Sequence, residues 1–258
     1  MTRQQAENRI QELRKILWEN SRKYYVENAP VISDYDYDHL MYELADLENQ
    51  YPDLITPDSP TRKVGSDLEN SDENGKTVPS ARKEFAQYPH KYPMLSLGNT
   101  YNIGEIEDFV ARASKTISAP FTYSCELKFD GTAICLTYRN GVLFRALTRG
   151  DGVIGDDVTE NVRHISNIPE KLHGAGYPEE FEIRGEILMP YSAFDKLNEE
   201  RLQNEDQPFA NPRNAASGSL KLLDPKEVGR RGLWCTLYHI PSPNVNFATH
   251  DEALNAAA

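Results

Sequence analysis

The chain is 258 residues long and carries 28 Lys+Arg against 40 Asp+Glu, a formal net charge of −12. So acidic a chain is a poor clamp for nucleic-acid phosphates as a whole. No run of 18 apolar residues occurs and the N-terminus is polar, which predicts a soluble chain with neither a membrane span nor a signal peptide. Three cysteines (Cys125, Cys135, Cys235), with no C-x-x-C pair, argue against a disulfide scaffold or structural zinc site and suit a reducing cytoplasm. The charge is uneven. Residues 1–75 hold 16 acids and 8 bases, hence −8, and residues 76–258 hold 24 acids and 20 bases, hence −4. The later part can therefore hold a local basic surface.

Residues 3–27 predict a helix, with Ala6, Ile10, Leu13 and Leu17 recurring at spacings of four, three and four. Pro30 stops it. Ser33 followed by Asp36 resembles a capping box for a second helix, which carries Tyr37, Leu40, Met41, Leu44 and Leu47 inward until Pro52. Residues 1–55 thus form a small helical hairpin unit. Residues 56–92 read as a connector, with "SDLENSDENGKTVPS" polar and loop-like. A helix follows at about 104–117. Strands are expected at 121–128, 132–139, 142–149, 180–188 and 233–240, with helices at about 156–164, 190–204 and 213–221. The fold class is α+β: the helical hairpin, then a domain at 93–258 built on an antiparallel sheet.

Four stretches carry candidate chemistry. In "SCELKFDGTAICLTYRNG" Lys128 falls at the end of an alternating strand, sharing a face with Glu126, before an Asp130-Gly131 turn. A solvated lysine in an ordinary hairpin explains this as well as a reactive amine does. In "ALTRGDGVIGDDVTENVRHI" Arg149 ends a strand, and Gly150, Gly152 and Gly155 open the chain before a helix. That suits either a phosphate-holding turn or a plain surface loop, and it matches neither a dinucleotide fingerprint nor a P-loop. In "FEIRGEILMP" Arg184 and Glu186 point away from Ile183 and Ile187, and charges in mid-strand need partners or a wet cleft. "FANPRNAASGSLKLLDP" sets Arg213, small residues and Lys221 on one helical segment. Together they make a sensible kit for a nucleotide and its phosphates.

"CELKFDG", "TRGDG", "GDDVTENVR", "IRGEI" and "FANPRNAASGSL", in this order and spacing, closely resemble the adenylation domain of bacterial NAD-dependent DNA ligases. "ELKFDG" carries the K-x-D-G pattern of the wider nucleotidyltransferase superfamily. "YYVENAPVISDYDYDHLMYEL" resembles the helical domain that marks its NAD-using branch, and "ITPDSPTRKVGS" and "YPMLSLGNTY" fit the same family, so the likeness covers about 3–258. The resemblance implies an ATP-grasp-like nucleotidyltransferase fold. It implies sealing of nicks in duplex DNA, in replication and repair of DNA damage, through lysyl-AMP and AMP-DNA. Lys128 would be the nucleophile on NAD. A free lysine, with a pKa of about 10.4, is neutral in roughly one molecule per thousand at pH 7, so such a site must ease deprotonation. Glu126 would lie near the adenine, Asp130 beside the lysine or a metal, and Arg149 at the ribose or phosphate. Glu186 would bind ribose hydroxyls or Mg²⁺ (Mn²⁺ as a substitute), and Ser96 and Leu97 would line the pocket. Tyr24, Tyr25, Asp34, Tyr35, Asp36, Tyr37 and Asp38 would take the nicotinamide mononucleotide (NMN) half. Arg213 and Lys221 would contact phosphate or DNA.

Two departures stand out. Tyr25 occupies a position where the family pattern has histidine. The family's D-G-x-V-x-K strand, a further lysine motif, a zinc site and DNA-binding domains would follow residue 258, so the resemblance implies a C-terminally incomplete adenylation domain with weak or no turnover of its own. It also implies a bacterial, cytoplasmic, monomeric enzyme whose partners are NAD and nicked DNA. A non-catalytic nucleotide-binding module and an ATP-dependent or capping-type enzyme are the alternatives, and the Tyr/Asp hairpin speaks against the latter.

Overall fold

The computed structural model describes residues 1–25, 31–62, 85–174, 176–245 and 247–257, apart from the side chains of Tyr25 and Asp34. The connector sequence at 66–80 lies outside the described residues. Helices α1 (Arg3–Tyr25) and α2 (Asp34–Gln50) pack along the predicted stripes. Ala6, Ile10, Leu13, Leu17, Leu44 and Leu47 are buried together, with Tyr37, Leu40 and Met41 against them. The Ser33 half of the capping box forms: Ser33 Oγ accepts from the Asp36 amide at 3.1 Å, while the Asp36 carboxylate accepts from the Ser33 hydroxyl at 2.6 Å. Two 3₁₀ turns, Pro52–Leu54 and Pro60–Arg62, close the unit. There the buried Glu48 carboxylate accepts from Ser59, Thr61 and Arg14. Burial alone pushes this carboxyl up, but those three donors together hold it below its ordinary range.

The second unit contains a two-stranded ribbon of β1 (Gln87–Pro89) and β4 (Ile154–Asp156). Beside it stands a four-stranded antiparallel sheet in the order β3-β2-β5-β6. Its strands are β2 (Thr132–Arg139), β3 (Val142–Thr148), β5 (Glu180–Leu188) and β6 (Trp234–His239), close to four of the predicted spans. β2 and β3 are joined through Asn140-Gly141, whose φ values of 48° and 72° give the twist a two-residue hairpin needs. Helices α4 (Thr159–Val162), α5 (Tyr191–Gln203), α6 (Pro212–Leu220) and α7 (Pro225–Arg230) follow, with α8 (His250–Ala257) last. One sheet face supplies Ile134, Leu136, Tyr138, Phe181, Ile183 and Ile187 to the core, which Val162, Leu197, Ala215, Ala216, Leu220 and Val228 complete from the helical side. Period-two alternation puts Glu182, Arg184 and Glu186 on the other face.

One expected strand is absent. Residues 121–128 form none, and the Phe129–Thr132 stretch is not a hairpin turn. The reason is topological. A strand turning tightly into β2 must lie along an edge of β2, and β3 and β5 already occupy both edges. The chain instead approaches β2 as exposed, unpaired extended backbone. Helix α3 (Ile103–Thr116) is present and capped by Asn102, yet Ile106, Phe109 and Val110 on its apolar face are exposed. The helix predicted at 156–164 shrinks to the single turn α4.

Gly131 sits where this segment enters β2. A Cβ there would lie 2.2 Å from the Ile187 carbonyl oxygen, an atom fixed in the β2–β5 ladder. Gly131→Ala is expected to cost about 1–3 kcal/mol, the range of a local overpacking. The check is a urea midpoint that falls while the slope stays constant.

Candidate functional site

Gly131 is also the hub of a polar cluster. Its amide donates to Glu186 Oε1 at 3.3 Å. Asp130, next to it, accepts from Arg213 Nη1 at 2.7 Å. The register places Ala133 opposite Glu186, so the start of β2 and the end of β5 meet here. Burial raises the Glu186 carboxyl above its ordinary range, opposed by the positive charges of Arg213 and Lys128 and by the Gly131 hydrogen bond. Lys128 therefore stands within electrostatic reach of Glu186, on exposed, irregular backbone rather than at a strand end. The structure thus brings Lys128, Asp130, Glu186 and Arg213 together at one end of the sheet.

Arg149 follows β3 and is half-buried. Its backbone carbonyl accepts from the Gly152 amide at 3.0 Å and lies 3.0 Å from His90 Nε2. Arg149, Glu186 and Arg184 all act on the Tyr238 phenol, whose pKa is pushed up to about 12 by burial first and the Glu186 charge second. The glycine-rich turn is occupied by its own chain, since Asp151 Oδ1 accepts from the amides of Val153 and Ile154 at 2.8 and 2.7 Å. These two N–H groups are thereby already used. Glu126 lies in the same irregular segment as Lys128. It accepts from Ser124 Oγ at 3.1 Å and meets His250 Nε2 of α8 at 3.0 Å. Ser96 and Leu97 are exposed on irregular chain just after the buried Met94. Lys221 pairs with Asp156 at 3.3 Å, beyond the glycine turn.

In the hairpin, the Tyr24 carbonyl accepts from Asn214 Nδ2 of α6 at 2.9 Å. Asp38 accepts from Tyr101 Oη at 2.7 Å and Asn99 Nδ2 at 3.0 Å. That Asp38 contact raises the Tyr101 pKa and keeps the phenol protonated. Tyr35 is exposed, with its ring edge-on to Tyr101 and His39. Asp36 is engaged by the Ser33 cap, and the half-buried Tyr37 phenol meets Ser21 Oγ at 2.6 Å. Tyr25 and Asp34 lie on α1 and α2, with side chains outside the description.

Arg184, singled out in sequence as a mid-strand charge needing partners, is buried and donates to the carbonyls of Tyr92 and Pro93 at 2.6 and 3.0 Å, tying the segment before Met94 across the polar face. Sequence reading missed other supports of this site. His90, Asn99, Tyr101 and His250 act over long sequence separations that no local pattern signals. Asn211 was legible: an Asn before Pro212 is a helix start, and its side chain caps the Asn214 amide at 2.8 Å.

The raised Glu186 carboxyl has a pH consequence. The folded state keeps this proton to higher pH than the unfolded chain, so its contribution to stability is complete at low pH and is lost as pH rises through the folded-state value. Glu186→Gln, neutral throughout, is expected to melt above the parent at about pH 8, the gap closing toward about pH 4 as the parent also becomes neutral. Melting curves over a pH series check it.

Comparison with known proteins agrees with this architecture. Residues 82–257 match the family model described as NAD-dependent DNA ligase adenylation domain. Residues 3–65 match the DNA ligase-like, N-terminal NAD+-binding domain. A DNA ligase of Parabacteroides distasonis is 49% identical over 252 residues, 98% of this chain and 36% of the relative. One of Phocaeicola vulgatus is 50% identical over 249 residues, 96% of this chain and 36% of the relative. The chain thus spans about a third of the length of these relatives. With an N-terminal helical unit followed by an antiparallel-sheet unit, each matching its own domain model, the chain belongs to the family of NAD-dependent DNA ligases.

Proposed function

We propose that this chain supplies the NAD-binding hairpin and the adenylated lysine of an enzyme that seals nicks in duplex DNA, as in replication and repair. In this reading residues 1–55 take the NMN half, residues 56–92 connect, and residues 93–258 carry adenylation. The observation that carries it is the meeting of Lys128, Asp130, Glu186 and Arg213 at the mouth of β2, with Arg149 within electrostatic reach of the Tyr238 that Glu186 also influences. Lys128 Nζ, once neutral, attacks the adenylyl phosphorus of NAD. A P–N bond forms, the P–O bond to NMN breaks, NMN leaves, and the amine gives up its second proton. Asp130 and Arg213 fix the backbone two residues from the nucleophile, which limits the entropy lost on reaching the phosphorus. Glu186 would hold ribose hydroxyls and Arg149 the phosphate side. Glu126, Ser96 and Leu97 would surround the base once Glu126 leaves His250. Tyr24, Tyr25, Asp34, Tyr35, Asp36, Tyr37 and Asp38 would receive the NMN half, with Tyr101 and Asn99 yielding Asp38.

Magnesium, or manganese in its place, would sit at Glu186 and neutralise charge on the pyrophosphate. Among the described residues no three His, Cys, Asp or Glu side chains gather as a metal cage. A single carboxylate fits an ion that takes its remaining ligands from substrate phosphate and water. Arg213 and Lys221 would meet DNA phosphate only after leaving Asp130 and Asp156. No helix among the described residues is long and apolar enough to cross a membrane.

One observation favours a second reading. The Lys128 segment has no strand partner and is exposed, so this chain can bind nucleotide without forming the covalent adduct. Incubation with NAD and Mg²⁺ followed by intact mass separates the two. The expected result is a gain of one adenylyl group, slow in this chain and absent in Lys128→Ala. An adduct retained in Lys128→Ala overturns the assignment, and an unchanged mass with measurable binding supports the non-catalytic reading. A melting-temperature shift larger with NAD than with ATP is expected, because only NAD offers an NMN half to the hairpin. The reverse order favours an ATP-dependent or capping-type enzyme.

A further inference from the structure

Asn214 is buried in the first turn of α6, and the hydrogen bond of its amide runs 190 residues back along the chain, to the Tyr24 carbonyl at 2.9 Å. Arg213, its neighbour, holds Asp130 at 2.7 Å. One turn of α6 therefore grips both the C-terminal end of α1 and the segment that carries Lys128. The helix does not need the Asn214 side chain for its own start, because Asn211 already caps it through the Asn214 backbone amide. The Tyr24 carbonyl that this side chain meets lies in the last turn of α1. A buried N–H donor satisfies it, whereas a carboxylate in the same place would face it with like partial charge.

On its other helix the hairpin meets the second unit at the surface, through exposed Asp38 on Tyr101 and Asn99 and through the Tyr35 and Tyr42 rings on Tyr101. The Asn214 tie is part-buried, and so more sheltered from water than the exposed Asp38 contacts, and it is adjacent to the adenylation cluster.

We propose that Asn214 is a positioning residue, setting the seat of the α1–α2 hairpin relative to Lys128 so that the two halves of the dinucleotide are gripped in register. This rests on the reading that the hairpin takes the NMN half. Asn214 touches neither Lys128 nor Glu186 in the structure's hydrogen bonds, so its loss acts on one half of the ligand and spares the other.

The test is calorimetric binding of NMN and of AMP, measured separately on the parent chain and on Asn214→Ala, Asn214→Ser and Asn214→Asp. NMN affinity is expected to fall about five- to tenfold in Asn214→Ala, the size of one hydrogen bond. It should fall less in Asn214→Ser, which keeps a donor, and furthest in Asn214→Asp. AMP affinity should stay within about twofold throughout, the noise of a remote substitution. Thermal unfolding confirms that each variant folds, and the Ala/Ser pair decides the matter if Asn214→Asp does not. Equal losses for both ligands would assign Asn214 to general structure, and unchanged NMN affinity would also overturn the inference. A parent chain that binds AMP but no NMN would instead remove the hairpin reading beneath it.

Discussion

Strand β5 carries Glu182, Arg184 and Glu186 on one face of the sheet, and the need to satisfy those charges organises the surrounding structure. Glu182 and Arg184 are buried, and an unpaired buried charge costs several kcal/mol. Arg184 meets the need by donating to the carbonyls of Tyr92 and Pro93, which draws the chain before Met94 across the polar face. That segment then zips onto the turn after β3. The His90 amide donates to the Val153 carbonyl and the Met94 amide to the Gly152 carbonyl, both at 2.8 Å, fixing the backbone beside Arg149. The charge on a single strand therefore accounts for where Met94, the glycine-rich turn and the foot of Arg149 lie.

Glu186, at the far end of the same strand, differs in that its partners come from the Lys128 side. Gly131 can reach it only because no Cβ stands between the entering chain and the Ile187 carbonyl. Helix α6 completes the junction. Its Ala215 and Ala216 are fully buried, and side chains this small let the helix lie close on the sheet, bringing Arg213 within reach of Asp130. The resulting arrangement alternates in sign through Lys128, Glu186, Arg213 and Asp130.

Much of this was legible in sequence, and the illegible part has a common cause. Period-two alternation placed four strands of the main sheet, and the 3.6-residue stripes placed the hairpin core, because each pattern records which face a local element buries. The Ser33–Asp36 cap was readable for the same local reason. The strand expected at 121–128 failed because alternation reports faces, not available edges, and β2 had no edge left. The exposed apolar face of α3 shows the same limit, since amphipathicity tells that a helix has a face to cover and not what covers it. Arg184, His90, Asn99, Tyr101, His250 and Asn214 act across long sequence separations, beyond the reach of any window. For the candidate site, the resemblance supplied names for residues, and the fold supplied their neighbours.

The backbone before Gly131 has no ladder to hold it, so Lys128 is positioned through its neighbours, Glu126 with His250 upstream and Asp130 and Gly131 downstream. Asp130 is tied to α6 and Gly131 to β5, within three residues of the lysine, while upstream Tyr123 and Leu127 are exposed. Three residues of extended chain span at most about 10 Å, which bounds how far the Lys128 backbone can lie from Gly131. The proposed nucleophile is thus flanked by side-chain contacts on both sides, Glu126–His250 and Asp130–Arg213, rather than held by a strand ladder. Each rotamer and backbone angle left free must then be fixed when the phosphorus is met, at about 1–2 kcal/mol per residue for the backbone. In the proposed reaction the Asp130–Arg213 and Gly131–Glu186 contacts would narrow the volume the lysine explores without touching its nitrogen.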